Sequence, residues 1–360
     1  AFPNDRIIGV DNFGRRRWVE EIGSSSAIPV FPMGERLKAA RKEGFTNIDF
    51  HEIDLTSYSD VMALISDYRP DVVIHTAAQP SAPYAHISAE KASFTQDNNI
   101  SMTRNLLWAL REEGLSKSHF VETTTTGIYG APSLEIPEGE IEIKGADGRT
   151  DMVPYPNIAS SWYHVSKGFN ATNMQLMNFQ TGMPVTDVRT SIIYGACTTE
   201  TKLAPELAGR FDFDFYFGTI FNKWVAMAIL GETLTVYGSG SQIKPFIHLE
   251  DAAQSLVNIA LRGNNSEYVV YNQLSEYMRI RDIALIISAC MKKFNQKIQV
   301  KSIPNPRVEK ENNFYTFRNE RFLDILAVNP KKMEGSIGEV IAALKPHKDI
   351  LERYRERLRG

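Results

Sequence analysis

The chain has 360 residues, 43% of them apolar and 23% charged, with a formal net charge of -3, which allows one large or two medium domains and offers no field for nucleic acid or an anionic membrane surface. Its two cysteines, Cys197 and Cys290, lie far apart, which fits a reducing compartment and excludes a disulfide framework or a cysteine metal cluster. No apolar run approaches the roughly twenty residues of a membrane span and no signal peptide is visible, so we expect a cytoplasmic protein.

The first strand-like segment is Arg6-Ile7-Ile8-Gly9-Val10-Asp11-Asn12, an apolar run ending in an acid. That ending suits the second strand of a dinucleotide-binding unit, whose carboxylate accepts hydrogen bonds from ribose hydroxyls and favours NAD over NADP. A turn acid would look the same. No glycine in the first hundred residues has the spacing of a phosphate-binding turn, and Ala1 to Asp5 reads as the tail of a helix that would follow one. We therefore expect the first βα unit, and with it the central strand of the sheet, to be missing, and NAD to bind poorly.

Arg15, Arg16 and Arg17 either reach the adenine side of a cofactor or form a solvated turn. A helix over 31–44, a strand over 47–55 that closes on Asp54-Leu55, a helix over 61–68 and a fully apolar strand over 71–75 follow. After that strand, Ala77 and Ala78 before Gln79 would let backbone approach a ligand closely. Asn98-Asn99 reads as the start of a helix. Residues 134–151 show no helical period, so we expect a long loop whose end, at Arg149, borders a site. Beyond residue 195 the pattern becomes mixed, with an aromatic stretch over 210–219, a helix over 221–230, a strand over 233–238, a helix opening at 246–251 and a strand over 268–272.

Tyr163 and Lys167 lie four residues apart in Ser160-Ser161-Trp162-Tyr163-His164-Val165-Ser166-Lys167, which continues as a helix, so they share a face. A phenol of ordinary pKa, about 10, becomes a base near neutrality only if a fixed positive charge stabilises its phenolate. Lys167 can supply that charge. The spacing alone equally fits a packed tyrosine and a solvated lysine. Its company is more telling: Thr123-Thr124-Thr125-Thr126-Gly127-Ile128-Tyr129-Gly130 follows the strand-like His119-Phe120-Val121, and Arg189-Thr190-Ser191-Ile192-Ile193-Tyr194-Gly195 lies downstream. In this order the chain resembles, from end to end, the extended short-chain dehydrogenase/reductases that act on nucleotide sugars.

The resemblance implies an α/β fold with a Rossmann-type parallel sheet and a smaller mixed C-terminal substrate domain. Residues 1–195 plus about 225–275 would bind NAD, 196–224 plus 276–345 would bind the nucleotide sugar, and 346–360 would form a helical tail. Tyr163, Lys167 and Thr125 would be catalytic. Asp11, Asn12, Arg15, Asp54, Leu55, Ala77, Ala78, Gln79, Asn98 and Thr190 would join Tyr163 and Lys167 around the cofactor. Further words resemble the members of the family that join sulfite to UDP-glucose: Gln79 to Tyr84, Gly148 to Asp151, Phe217-Gly218-Thr219, Leu234 to Gly238 and Pro304 to Glu309. They imply that Arg149, Thr125, Thr219, Asn222, Thr235, Tyr237, Gln242, Lys244 and Arg307 hold substrate, and that a homodimer uses UDP-glucose with sulfite or a sulfite-donating protein.

Two departures matter. In the family's 4,6-dehydratases an Asp-Glu pair follows the catalytic threonine, whereas here Thr126 and Gly127 do, so another group must move protons. His164, able to titrate near neutrality, is the candidate, against a structural histidine on a helix flank. Pro80 also replaces an arginine of the plant-type members, leaving Lys244, Arg149 or main-chain N–H groups to hold sulfite. A UDP-sugar 4-epimerase and a non-catalytic dinucleotide-sensing scaffold are the alternatives.

Overall fold

The computed structural model describes residues 4–130, 132, 134–304 and 316–358. The first half runs β1 (Ile7–Asp11), α1 (Gly14–Glu21), α2 (Met33–Lys42), β2 (Ile48–Glu52), α3 (Tyr58–Tyr68), β3 (Val72–His75), the short α4 (Ala82–Ala85), α5 (Ala89–Glu112), β4 (His119–Thr123), β5 (Glu140–Lys144), β6 (Thr150–Pro154) and α6 (Trp162–Thr181). The second half runs β7 (Val185–Thr190), β8 (Ile192–Tyr194), α7 (Ile220–Ile229), β9 (Leu234–Tyr237), β10 (Ile243–His248), α8 (Leu249–Arg262), β11 (Tyr268–Gln273), β12 (Glu276–Arg279), α9 (Ile280–Lys292), β13 (Val300–Ile303), α10 (Glu320–Leu326), α11 (Met333–Leu344) and α12 (Lys348–Arg353).

Strand and helix alternate through β7, and such a pattern closes into a parallel sheet. Strands β11, β7, β4 and β3 form one parallel sheet in that order, and β1 pairs in parallel with β2. Strands β1 and β3 are not bonded to each other. A cavity of about 390 Å³ separates them, walled by Ile8, Val10, Val72 and Ile74 with Ile65 and Met102. The split leaves Ile74, in the middle of an apolar run, 40% exposed.

Helices α5 and α6 pack together on the sheet through Leu106, Leu107, Leu110, Met174 and Met177 against Phe120 and Val185. Each has a clear start. Ser88 caps α5 by accepting from the Lys91 N–H, and Ser161 caps α6 by accepting from the His164 N–H at 3.1 Å. Helix α6 stops at Gly182, whose φ of 68° suits a residue without Cβ. A second core gathers α7, β9, α9 and α11 around Trp224, Phe221, Ile287 and Ile341. Both α7, which crosses the boundary expected near residue 225, and β9, which lies beyond it, belong to this second core.

Four expectations are corrected. Asn98-Asn99 does not open a helix, because Ser88 starts α5 ten residues earlier. The loop expected over 134–151 contains the antiparallel β5–β6 hairpin, whose Ile141 and Ile143 alternate with acids at the strand period. Arg15 to Arg17 lie in α1, not in a turn. Residues 243–248 form β10, and α8 begins only at Leu249, where the His248 ring nitrogen accepts from the Glu250 N–H.

Burial pushes four histidines, His75, His119, His164 and His248, down to about 4. Each is neutral in the folded chain, while the unfolded chain takes up a proton below about 6.5. Stability from this source is complete above pH 6.5 and falls as the pH drops toward 4, by on the order of 3 kcal/mol per histidine at the acid end. Urea unfolding at pH 7 and pH 4.5 checks this: the wild type should lose stability between them, and His119→Gln, which keeps a partner for Thr186, should lose less. An equal loss in both proteins would contradict it.

Candidate active site

Strand β4 is followed by a threonine-rich turn whose geometry comes from its own side chains. Thr124 Oγ1 donates to Asp187 on β7, and Thr125 Oγ1 accepts from the Gly127 N–H at 3.1 Å, winding one 3-10 turn over Thr126–Tyr129. Helix α6 runs alongside. With Ser161 as its cap, Tyr163 falls in the first turn and Lys167 one turn later on the same face.

Lys167 is 2% exposed, and its Nζ donates to Glu122 Oε1 at 2.9 Å. Glu122 is fully buried and also accepts from Asn170 Nδ2 at 2.7 Å and Thr103 Oγ1 at 2.9 Å. Burial would drive the Lys167 pKa down, but the Glu122 carboxylate, helped by Tyr163, raises it above the ordinary lysine value. Tyr163 is raised as well, because burial and the Glu122 charge outweigh the pull of Lys167 and Arg15. Lys167 therefore moderates the cost of a buried phenolate without removing it.

His164 lies against Gly127. A Cβ at position 127 would fall 2.3 Å from His164 Nε2, so the imidazole occupies the space a side chain there would need. Its ring centre is 5.2 Å from that of Tyr163. Its Nδ1 is buried and has no partner among the described residues. Burial, with the Lys244 and His86 charges, pushes the ring down to about 4. That corrects the expectation of titration near neutrality: the ring is neutral at pH 7 and competent to accept a proton.

The cavity between β1 and β3 is lined by seven of the residues expected around a cofactor, Asp11, Asn12, Arg15, Leu55, Ala77, Ala78 and Asn98. Asp11 ends β1, with one oxygen accepting from the Phe13 N–H at 2.7 Å, and Ala77 and Ala78 present no bulk. Arg15 is not free for adenine, since its Nε bonds Asp212 Oδ2 at 2.7 Å. Asp54 is occupied by Thr56, whose N–H and hydroxyl bonds outweigh burial and hold its carboxyl below the usual range. Gln79 is turned into the core, where it bonds Thr95 Oγ1 at 2.8 Å. Thr190 Oγ1 donates to the Val188 carbonyl. Asn98 donates to its neighbour Asn99, and the Asn99 amide bonds the Gln79 carbonyl at 3.1 Å and Ser166 Oγ, on α6, at 3.0 Å.

The substrate set is spread more widely. Thr219 caps α7 and accepts from the Asn222 N–H. The Asn222 amide bonds the Asp212 carbonyl at 3.0 Å, and its buried Oδ1 has no partner among the described residues. Thr235 and Tyr237 lie on β9, and Gln242 precedes β10, which carries Lys244, whose charge reaches His164. Arg149 is a correction: it sits in the turn of the β5–β6 hairpin, 89% exposed and paired with Asp147, so no contact of its own brings it to Tyr163. Arg307 lies outside the described residues.

Glu122, Asn170 and Thr103 were not singled out from the sequence, and Asn99 was read only as part of a helix start. One signal was available, a lone acid closing the apolar run His119-Phe120-Val121-Glu122.

Residues 26–272 match the model of the NAD dependent epimerase/dehydratase family. The chain is similar to the UDP-sulfoquinovose synthase of Sulfolobus acidocaldarius, 35% identical over 97% of this chain and 88% of that one. It is also similar to the chloroplastic UDP-sulfoquinovose synthase of Spinacia oleracea, 35% identical over 91% of this chain and 68% of that one. A Bacillus cereus UDP-glucuronic acid 4-epimerase, solved with UDP-glucuronic acid and NAD, shares the fold with a TM-score of 0.64 at 19% identity, covering 97% of this chain and 91% of that one. With its parallel sheet and its Tyr163–Lys167 helix, the chain belongs to the NAD-dependent epimerase/dehydratase family.

Proposed function

We propose that this chain converts UDP-glucose and sulfite to UDP-sulfoquinovose, with NAD as its cofactor. The observation that carries this reading is the neutral His164 ring lodged against Gly127 beside Tyr163. Oxidation and reduction at carbon 4 alone, as in a 4-epimerase, need one proton-transfer group; exchange at carbon 5 needs a second. The similarity to two UDP-sulfoquinovose synthases supports the same choice.

Asp11 would take the adenosine ribose, with Asn12, Leu55, Ala77, Ala78 and Asn98 around the rest of the cofactor. Bound NAD supplies a hydride acceptor at carbon 4 and later the donor. Tyr163, with Thr125 beside it, takes the proton of the 4-hydroxyl, and Lys167 steadies the phenolate on which this depends. With carbon 4 a ketone, the carbon 5 proton is acidic, and His164 accepts it and passes it to the departing 6-hydroxyl. Hydrogensulfite then adds at carbon 6, its proton passing through His164 to carbon 5, and the Lys244 charge near His164 suits the anion. Thr219, Asn222, Thr235, Tyr237, Gln242 and Arg307 would hold the nucleotide.

The protein would act in the cytoplasm as a homodimer. No helix among the described residues is long and apolar enough to cross a membrane. Phe169, Leu176 and Phe179 follow one face of α6 and are exposed, as is Trp108 on α5. Such a stripe on the α5–α6 pair favours a second copy as its cover.

Mass spectrometry of the product from UDP-glucose, sulfite and excess NAD in deuterated water tests the reaction. A sulfonated hexose nucleotide carrying deuterium at carbon 5 is expected. A UDP-galactose product without label would overturn the proposal in favour of a 4-epimerase. Gly127→Ala tests His164: the new methyl group would force the ring aside, and turnover should fall on the order of 10²-fold with little change in thermal stability. Unaltered turnover would remove His164 from the reaction.

A further inference from the structure

We propose that Glu122 is a positioning residue of the Tyr163–Lys167 pair, its carboxylate holding the Lys167 ammonium in place and in its charged state, so that Tyr163 works through a unit of three. This rests on Tyr163 being the base of the reaction above. The two dyad residues share a helix, but the group that fixes them comes from the sheet. Glu122 is the penultimate residue of β4, and three side chains from two helices use up its oxygens: Lys167 and Asn170 of α6 meet Oε1, and Thr103 of α5 meets Oε2. A carboxylate bonded on both oxygens has one rotamer to occupy, and so does the ammonium bound to it.

The charges around Glu122 leave it little else to do. On β3 its register partner is His75, which burial keeps neutral and whose Nε2 has no partner among the described residues. On β7 its register partner is Asp187, already engaged by Arg189 Nε at 2.9 Å, by Thr124 and by Tyr268. Helix α5 presents Thr103 and Asn99, which carry no charge. Helix α6 presents Lys167 and, beyond it, Tyr163.

Two effects of the carboxylate oppose each other. It raises the Lys167 pKa, which keeps the phenolate's support charged, and it raises the Tyr163 pKa, which disfavours the phenolate itself. Contact decides between them: Glu122 bonds Lys167 directly at 2.9 Å, and on Tyr163 the pull of Lys167 is larger than the push of Glu122. An ammonium 2% exposed and stripped of its counter-ion would shed its proton toward neutral pH.

The test uses the full chain with 13Cε-labelled lysine and no ligand, with Lys167→Met to assign the resonance. In the wild type Lys167 should stay charged beyond the ordinary lysine range, and in Glu122→Gln its midpoint should fall by about 1–3 pH units. In turnover assays with NAD, the alkaline limb of kcat should move down with it while KM for the UDP-sugar holds, and Glu122→Asp should restore most of the loss. Should Glu122→Gln fail to fold, Thr103→Val, which removes one hydrogen bond and no charge, should move the midpoint the same way by less. An unmoved Lys167 midpoint in the variant that folds would overturn the inference, as would a pH-independent loss of kcat that Glu122→Asp does not restore. A shifted midpoint in a protein inactive on every UDP-hexose would instead sink the reading of Tyr163 as base and leave the Glu122–Lys167 link standing.

Discussion

The ion pair between Lys167 and Glu122 is the constraint on which the rest of the site depends. It lies where β4, α5 and α6 meet, with side chains 2% and 0% exposed. Burying two opposite charges contributes little net stability, yet removing one partner typically costs about 3–5 kcal/mol, because the other is left unpaired. Such a pair fixes geometry more than it adds stability. Here it fixes the register of α6 on the sheet, and through that register the position of Tyr163. Asn99 and Ser166 add a neutral clamp on the same helix: Ser166 Oγ donates to the Tyr163 carbonyl and accepts from the Asn99 amide.

The split in the parallel sheet has the opposite character. Where β1 and β3 face each other without hydrogen bonds, backbone groups and apolar side chains line a cavity in place of a continuous core. Buried parallel strands are apolar on both faces because helices cover them, and Ile8, Val10, Val72 and Ile74 keep that composition at an edge. The residues suited to a dinucleotide, Asp11, Ala77 and Ala78, stand at the carboxyl ends of these two strands, where open α/β sheets take their ligands. The cavity thus joins a polar ligand rim to an apolar slot between the two sheets.

Much of this was legible in the sequence, and the failures have physical causes. The strands at 7–11, 72–75 and 268–273 announce themselves as short apolar runs, the strand at 48–52 by alternation ahead of Asp54-Leu55, and α3, α6 and α7 as helical stretches. Helix α5 was misplaced because the two asparagines in its middle look like a cap, while the true cap is the less conspicuous Ser88. The β5–β6 hairpin was hidden by its charge: its exposed positions hold acids and its apolar residues are few. Tyr163 and Lys167 were legible because their chemistry is local to one helix. The roles of Glu122, Asn99 and Thr103 were not, because they exist only after three elements separated by 19 to 67 positions have packed. Spacing arguments cannot reach that far. Arg149 failed for a related reason, since a motif shows which residues occur together but not that Asp147, two positions away, will take the guanidinium at the hairpin turn.

Position 127 shows how one volume can decide the chemistry. Family members that eliminate water across carbons 5 and 6 carry acidic side chains after the catalytic threonine, whereas here the chain has Gly127 and the space goes to the His164 imidazole, delivered from α6. The two solutions differ in charge. In the reaction proposed above a carboxylate would place a negative group at carbon 6, where the sulfite anion would arrive, and the two would repel in a site shielded from water. In the proposed reaction a histidine held neutral by burial takes the carbon 5 proton without opposing that anion, and after giving it up to the leaving hydroxyl it is free to take the proton of hydrogensulfite. On that reading the ring takes a proton twice, first from carbon 5 and then from hydrogensulfite, and glycine at 127 leaves the volume in which histidine at 164 does so.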